Sequence, residues 1–294
     1  MQFDVIIIGG SYAGMAAALQ LARARCRIMM IDAGQRRNRF AEHSHGFLGR
    51  DGHAPDQIAE EAKQQLLAYP TVTWTNGKAL GAAQAGGGFR IETEAGQTYE
   101  STHLILALGV EDILPDVPGL KERWGKSVFH CPYCHGYELD EGSIGVLAVG
   151  PISMHQALML PDWGKTSFFI NDTFTPDDEQ LAQLSARGVT VVSEPVAEIT
   201  GHADIRLASG RVISLAGLFT APATRPTSPL AEQLGCALEE GPLGPFITTN
   251  AMKETTIPRI FACGDAARAA GSVSLAVGDG AMAGAATHRS LMFG

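Results

Sequence analysis

The stretch His130-Cys131-Pro132-Tyr133-Cys134-His135-Gly136 carries the most chemistry in the chain. Two residues between the cysteines permit a disulfide across one turn, and such pairs commonly carry a lowered thiol pKa. Thiol exchange needs one sulfur open to attack and a second that passes the electron pair onward. The histidine beside each cysteine offers an acid/base titrating near neutral pH. Cys131, Cys134, His130 and His135 are therefore the candidate catalytic set, although either histidine also has a purely structural, hydrogen-bonded reading. Zinc is the competing use of four such donors, but neighbouring side chains do not converge on one tetrahedral ion, and structural zinc wants a second, distant ligand pair. The remaining cysteines, Cys26, Cys236 and Cys263, stand alone and read as packing, without polar company. No metal is expected. With five cysteines and no secretory leader, any disulfide should be catalytic or sensing.

A second set of residues could hold a nucleotide. The apolar run Phe3–Ile8 ends in Gly9-Gly10-Ser11-Tyr12-Ala13-Gly14, between a strand and a helix. In a dinucleotide fingerprint the first glycine allows the tight turn and the last lets helix pack on strand. The position for a second phosphate-facing glycine holds Ser11, small and able to donate its own hydroxyl. The helix N-terminus, from Ser11 through Ala13, supplies N–H groups and a positive dipole end. Asp32 ends the next apolar strand, 18 residues after Gly14, placed to accept from a ribose hydroxyl.

These sites need elements to position them, and the pattern supplies them twice. Tyr12–Ala24 reads as a helix, Arg27–Asp32 as a strand, Pro55–Tyr69 as a helix and Val72–Trp74 as a strand. A Gly-punctuated meander runs to Glu100, and Leu104–Gly109 closes the unit. The order recurs: strand Ile144–Val149, helix Ile152–Leu160, strand Ser167–Ile170, and a helix opened by Thr175 as cap and Pro176 as first residue. Gly188 stops that helix, Val189–Val192 is a strand, a meander reaches Ile213, and Leu218–Thr220 closes the second unit. The implied fold is α/β, with two Rossmann-like nucleotide-binding domains, each a parallel sheet with helices plus a β-meander. Residues 224–294 are too short for a third copy and should return to the first unit, through strand Arg259–Cys263 and a Gly-Ala helix over Ser272–Thr287. The second domain (115–223, carrying the cysteine pair) is then inserted in the first (1–114 and 224–294).

Over its whole length the chain resembles the low-molecular-weight thioredoxin reductases: a fingerprint at the start, CxxC at the entry to the inserted domain, and Thr256–Cys263 followed by Gly264-Asp265 near the end. The resemblance implies FAD, with Gly264 and Asp265 at its ribityl and pyrophosphate portion, and Ser272 and Val273 starting a helix aimed at the flavin. It implies that Cys134 faces the flavin while Cys131 exchanges with substrate, and that the enzyme is a homodimer. His135 stands where those reductases carry an aspartate acid/base. That departure, with Cys-Pro-Tyr-Cys and His43-Ser44-His45-Gly46-Phe47-Leu48-Gly49, is similar to the branch of FAD-dependent dithiol oxidases of the gliotoxin and holomycin type. By that likeness His45 joins the cofactor contacts and oxygen is the electron acceptor.

The inserted copy departs from a nicotinamide fingerprint. Its turn, Ala148-Val149-Gly150-Pro151-Ile152-Ser153, keeps one glycine, places a proline with no N–H to offer, and adds bulk at Ile152. Asp172, Asp177, Asp178 and Glu179 follow, and no Lys or Arg lies between Lys165 and Arg187, which disfavours NADPH. NADH stays open through Asp172 as a ribose ligand. The rivals to a dithiol oxidase are a NAD(P)H-dependent thioredoxin-disulfide reductase and, in another class, a flavoprotein redox sensor. The substrate is a small dithiol or a thiol-containing protein. A net charge of −9 gives no footprint for nucleic acid. An acid at residue 4 and the short run Val5–Ile8 argue against a leader, no run reaches membrane-span length, and the expected address is the cytoplasm.

Overall fold

The computed structural model describes residues 2–294. The chain opens on β1 (Gln2–Ile8) and turns into α1 (Tyr12–Arg23). There follow β2 (Ile28–Asp32), α2 (Pro55–Leu67), β3 (Val72–Asn76), β4 (Ala79–Ala85), β5 (Gly88–Thr93) and β6 (Thr98–Leu106). β1 lies between β2 and β6, parallel to both, so Val5, Ile6 and Ile7 are completely buried. Each such side chain contributes about 1.5–3 kcal/mol by leaving water.

The last strand of the meander and the closing strand, separate in the sequence reading, are one strand. β6 pairs antiparallel with β5 over Thr98–Ser101 and parallel with β1 from Glu100 to Leu106. No glycine or proline interrupts Thr98–Leu106, so nothing breaks it in two.

β7 (Val110–Ile113) leads out to β8 (Val128–Phe129), the one-turn helix α3 (Pro132–His135), β9 (Glu141–Leu147), α4 (Ser153–Met159) and β10 (Gly164–Phe169). α5 (Asp178–Ala186), β11 (Thr190–Val192), β12 (Val196–Thr200), β13 (Asp204–Leu207), β14 (Val212–Ile213) and β15 (Gly217–Phe219) complete the second unit. Its parallel sheet runs β11-β10-β9-β15-β8, and β12–β14 form a separate antiparallel meander. α5 starts later than expected. Asp177, not Thr175, is its cap: the Asp177 carboxylate accepts from the Gln180 N–H at 2.8 Å, and the Gln180 side chain accepts from the Asp177 N–H. That reciprocal box satisfies two end groups at once, which Thr175 cannot match.

The chain returns through β16 (Ala223–Pro226), antiparallel to β7, then α6 (Leu230–Gln233) and the hairpin β17 (Leu238–Gly241) and β18 (Gly244–Ile247). β19 (Ile260–Ala262) joins the first sheet parallel to β6, and α7 (Val273–Phe293) continues six residues past Thr287. α7 lies tightly on α1: a Cβ on Gly280 would sit 2.0 Å from the Ala13 carbonyl oxygen, and one on Gly284 2.4 Å from that of Ala17. The architecture is α/β, two Rossmann-like folds with the second inserted in the first. Among the described residues no helix is long and apolar enough to cross a membrane.

Candidate active site

One cleft of about 430 Å³ runs between the first turn and the cysteine pair. It is lined by Gly9, Gly10, Ser11 and Ala13 at one end, by Asp32 and His45 along its side, and by Gly264, Asp265, Ser272 and Val273. His130, Cys131, Cys134 and His135 line it too. Of the catalytic and FAD-binding candidates singled out in the sequence, Gly14 alone lies off the wall, and its role is packing. A Cβ there would fall 1.8 Å from the Gly9 carbonyl oxygen, so α1 could not approach β1.

The first turn is built to leave N–H groups free. Gly9 has φ +105°, where a side chain would also meet the Ala107 oxygen at 2.1 Å. Ser11 caps α1 in extended conformation, yet its hydroxyl makes no cap hydrogen bond. The first-turn donors therefore keep their polarity for a ligand. Gly10 donates its N–H to Asp32 Oδ1 at 3.1 Å, leaving Oδ2 for a ribose hydroxyl. Any Cβ on Gly10 would strike both the Asp32 carboxyl and the Trp74 ring. At the far wall the Ser272 hydroxyl caps α7 by accepting from the Leu275 N–H at 3.1 Å. This cradle, with backbone where side chains cannot fit, suits FAD: Gly9–Ala13 for the diphosphate, Asp32 for the ribose, and the α7 N-terminus for the flavin edge.

Cys131 and Cys134 are joined as a disulfide, with Cα atoms 5.3 Å apart. Cys131 caps α3 in extended conformation, Pro132 fills the first helical position, and one turn brings Cys134 back to Cys131. From α4, Gln156 donates to the His130 carbonyl at 2.6 Å and so pins the strand leading into the pair. Trp163 covers the back of α3, and the exposed Tyr133 ring meets it edge-on at 5.3 Å.

The histidines differ from the sequence expectation. His135 stacks on Phe129 at 4.3 Å, and burial, aided by the nearby His45, pushes its pKa down to about 4. Burial, then the Arg37 charge, also lowers His130, whose Nδ1 is buried without a partner. His135 therefore stays neutral at pH 7, and His130 is shifted in the same direction. His45 bridges two segments, with Nδ1 3.6 Å from Asp51 Oδ1 and Nε2 3.4 Å from Glu138 Oε1. Of the lone cysteines, Cys263 is fully buried and its thiol is pushed up to about 12 by burial, then by the Asp279 charge. Cys236 does have polar company, since its thiol lies 3.5 Å from the Thr255 hydroxyl. Among the described residues no group of three or more His, Cys, Asp or Glu is gathered as for a metal.

The sequence reading passed over Arg37, Asn38 and Asp112, which line the same cleft. The Arg37 guanidinium donates to Asp112 and to Asp265. The available signal was Arg36-Arg37-Asn38-Arg39, three cations in four residues of an acidic chain.

The second turn spends part of its polarity on itself. The Val149 N–H donates to the Ser153 hydroxyl at 3.0 Å, and Ser153 is completely buried. Pro151 offers no donor, and α4 begins only at Ser153. Asn171 is occupied in accepting from the Val196 N–H at 2.8 Å, and Asp177 in its capping box.

Residues 3–280 match the family described as pyridine nucleotide-disulphide oxidoreductase. The thioredoxin reductase tcpT of Claviceps purpurea is 33% identical over 98% of this chain and 94% of its own length. The crystal structure of an oxidoreductase from Agrobacterium tumefaciens superposes with a TM-score of 0.97 at 60% identity, covering 100% of this chain and 99% of that one. The crystal structure of HlmI superposes with a TM-score of 0.92 at 32% identity, covering 99% of this chain and 93% of that one.

Proposed function

For a chain that belongs to the pyridine nucleotide-disulphide oxidoreductase family, a thioredoxin reductase-like FAD disulfide oxidoreductase, we propose that electrons enter from a dithiol substrate and leave to oxygen. The observation that carries this direction is the second turn, whose Val149 N–H is spent on Ser153 beside a proline. A nicotinamide nucleotide would find the Val149 and Ser153 N–H groups already spent, a proline between them, and no Lys or Arg between Lys165 and Arg187. The likeness to HlmI and to tcpT supports a place in the dithiol-oxidase branch.

The residues act as follows. A thiolate of the substrate attacks Cys131 Sγ, the Cys131–Cys134 bond breaks, and Cys134 leaves as thiolate. The substrate's second thiolate attacks its own sulfur in the mixed disulfide, releasing oxidised substrate and Cys131 thiolate. Two substrate thiols are thus oxidised, the enzyme disulfide is reduced, and two protons are given up. Neutral His135 can accept one, because a thiolate forming on Cys134 beside it raises the imidazole's proton affinity. The second is assigned to His130. FAD, when bound, supplies the two-electron acceptor that returns the pair to the disulfide. Residues 115–223 as a discrete inserted domain, a homodimeric state and a cytoplasmic address belong to the same proposal.

The test is oxygen uptake. With dithiothreitol as a model dithiol, the protein should consume oxygen steadily without any nicotinamide nucleotide, and adding NADPH should change the rate little. Uptake that depends on NADPH would sink the reading in favour of a reductase.

A further inference from the structure

The floor of the cleft carries a charge problem that Arg37 solves. Its guanidinium donates to Asp112 through Nε at 3.1 Å and Nη2 at 2.6 Å, and to Asp265 Oδ2 through Nη1 at 2.9 Å. Without it, two carboxylates would face a diphosphate of about two negative charges across a site largely shielded from water. With it, this group of three carries one net negative charge. Of its neighbours in sequence, Arg36 pairs with Asp56 and the Arg39 guanidinium lies 4.2 Å from the Phe40 ring centre; Lys78 lines the cleft as well, without a carboxylate partner among the described residues. His130, from the segment after β8, also feels Arg37: burial and then that charge lower its pKa, which disfavours a further cation there. A second observation points to a ligand here. Asn38 donates through Nδ2 to the Tyr12 hydroxyl at 3.1 Å, while its Oδ1 is buried without any partner.

We propose that Arg37 is the charge-matching residue of the FAD site: by clamping Asp112 and Asp265 it lets a cleft floored with acids accept the FAD diphosphate. Asp112 belongs to β7, the ribbon leading towards the cysteine pair, so the same clamp ties that ribbon to the cofactor cleft. The inference rests on the cleft being the FAD site and is independent of where the electrons go.

The test is binding. Apoproteins carrying Arg37→Met, Asp112→Asn or both are titrated with FAD, followed by the loss of free-flavin fluorescence, at about pH 8 and about pH 6. Arg37→Met should bind at least about tenfold more weakly than the parent at the higher pH. The gap should narrow at the lower pH, as one of the now unpaired, mutually repelling carboxylates takes a proton. The double variant restores one net negative charge and should recover most of the affinity. Circular dichroism checks that each apoprotein is folded; should Arg37→Met fail to fold, the double variant carries the test. Unchanged affinity in Arg37→Met overturns the proposal. So does a loss equal at both pH values that Asp112→Asn does not relieve, or a folded double variant that no longer binds FAD.

Discussion

The two turns at Gly9–Gly14 and Ala148–Ser153 follow the same kind of strand and lead into the same kind of helix, yet they spend their backbone donors differently. In the first, Ser11 leaves its hydroxyl idle and the donors of α1 open into the cleft. In the second, Ser153 turns back and takes the Val149 N–H. Space is not the difference. Gly150 keeps φ +148° with nothing within 4 Å of where a Cβ would be, whereas Gly9 and Gly14 are hemmed in by backbone oxygens. A fold can therefore keep the shape of a nucleotide turn while its own serine draws one of the turn's donors inward.

The largest expected effect lies between the two turns, at the cysteines. Cys131→Ser and Cys134→Ser should each lower dithiol-driven oxygen uptake by about a thousandfold or more, as for loss of a covalent catalyst. Only Cys131→Ser should show a long-wavelength absorption band from the remaining thiolate beside the flavin, and the reverse pattern would exchange the two roles. Next comes Gly14→Ala, which must push α1 off β1. It should cost about 1–3 kcal/mol of stability and most of the bound flavin, read as FAD released per chain on denaturation. Ser153→Ala should cost a similar or smaller amount, about 1–3 kcal/mol, by leaving the Val149 N–H unpaired, with flavin content unchanged. If Ser153→Ala emptied the flavin site, or Gly14→Ala left it full, the contrast between the turns would collapse.

The effect confined to acid pH comes last. The folded pKa of His135 is depressed to about 4 from an unfolded value near 6.5, so the unfolded chain binds more protons in between. Its stabilising share is complete above pH 6.5 and is lost as pH falls through 4. His103, buried and likewise pushed down to about 4 by burial, shares that window. Replacing His135 with Phe should flatten the acid limb of the stability curve by at most about 3 kcal/mol. An unchanged limb would mean that His135 is solvated in the folded protein.

Much of this was legible from residue pattern because the decisive groups are local. Gly9 through Gly14, Asp32 and the CxxC pair announce themselves by spacing. What stayed hidden depends on distant partners. Arg37 meets Asp112 and Asp265 across 75 and 228 positions of chain, and no local pattern reports such a pair. The low pKa of His135 comes from burial within the fold and then from His45, which a flanking-residue argument cannot see. The start of α5 was misplaced because Thr175-Pro176 imitates a cap that Asp177 and Gln180 make better.

Anaerobic titration of the oxidised holoprotein with NADPH, and separately with dithiothreitol, tests the central claim most directly. Stoichiometric dithiol should bleach the flavin absorbance quickly, NADPH should do so slowly or not at all, and readmitted air should restore the colour with consumption of oxygen. Rapid stoichiometric bleaching by micromolar NADPH would contradict the account and make the second turn a working nucleotide site.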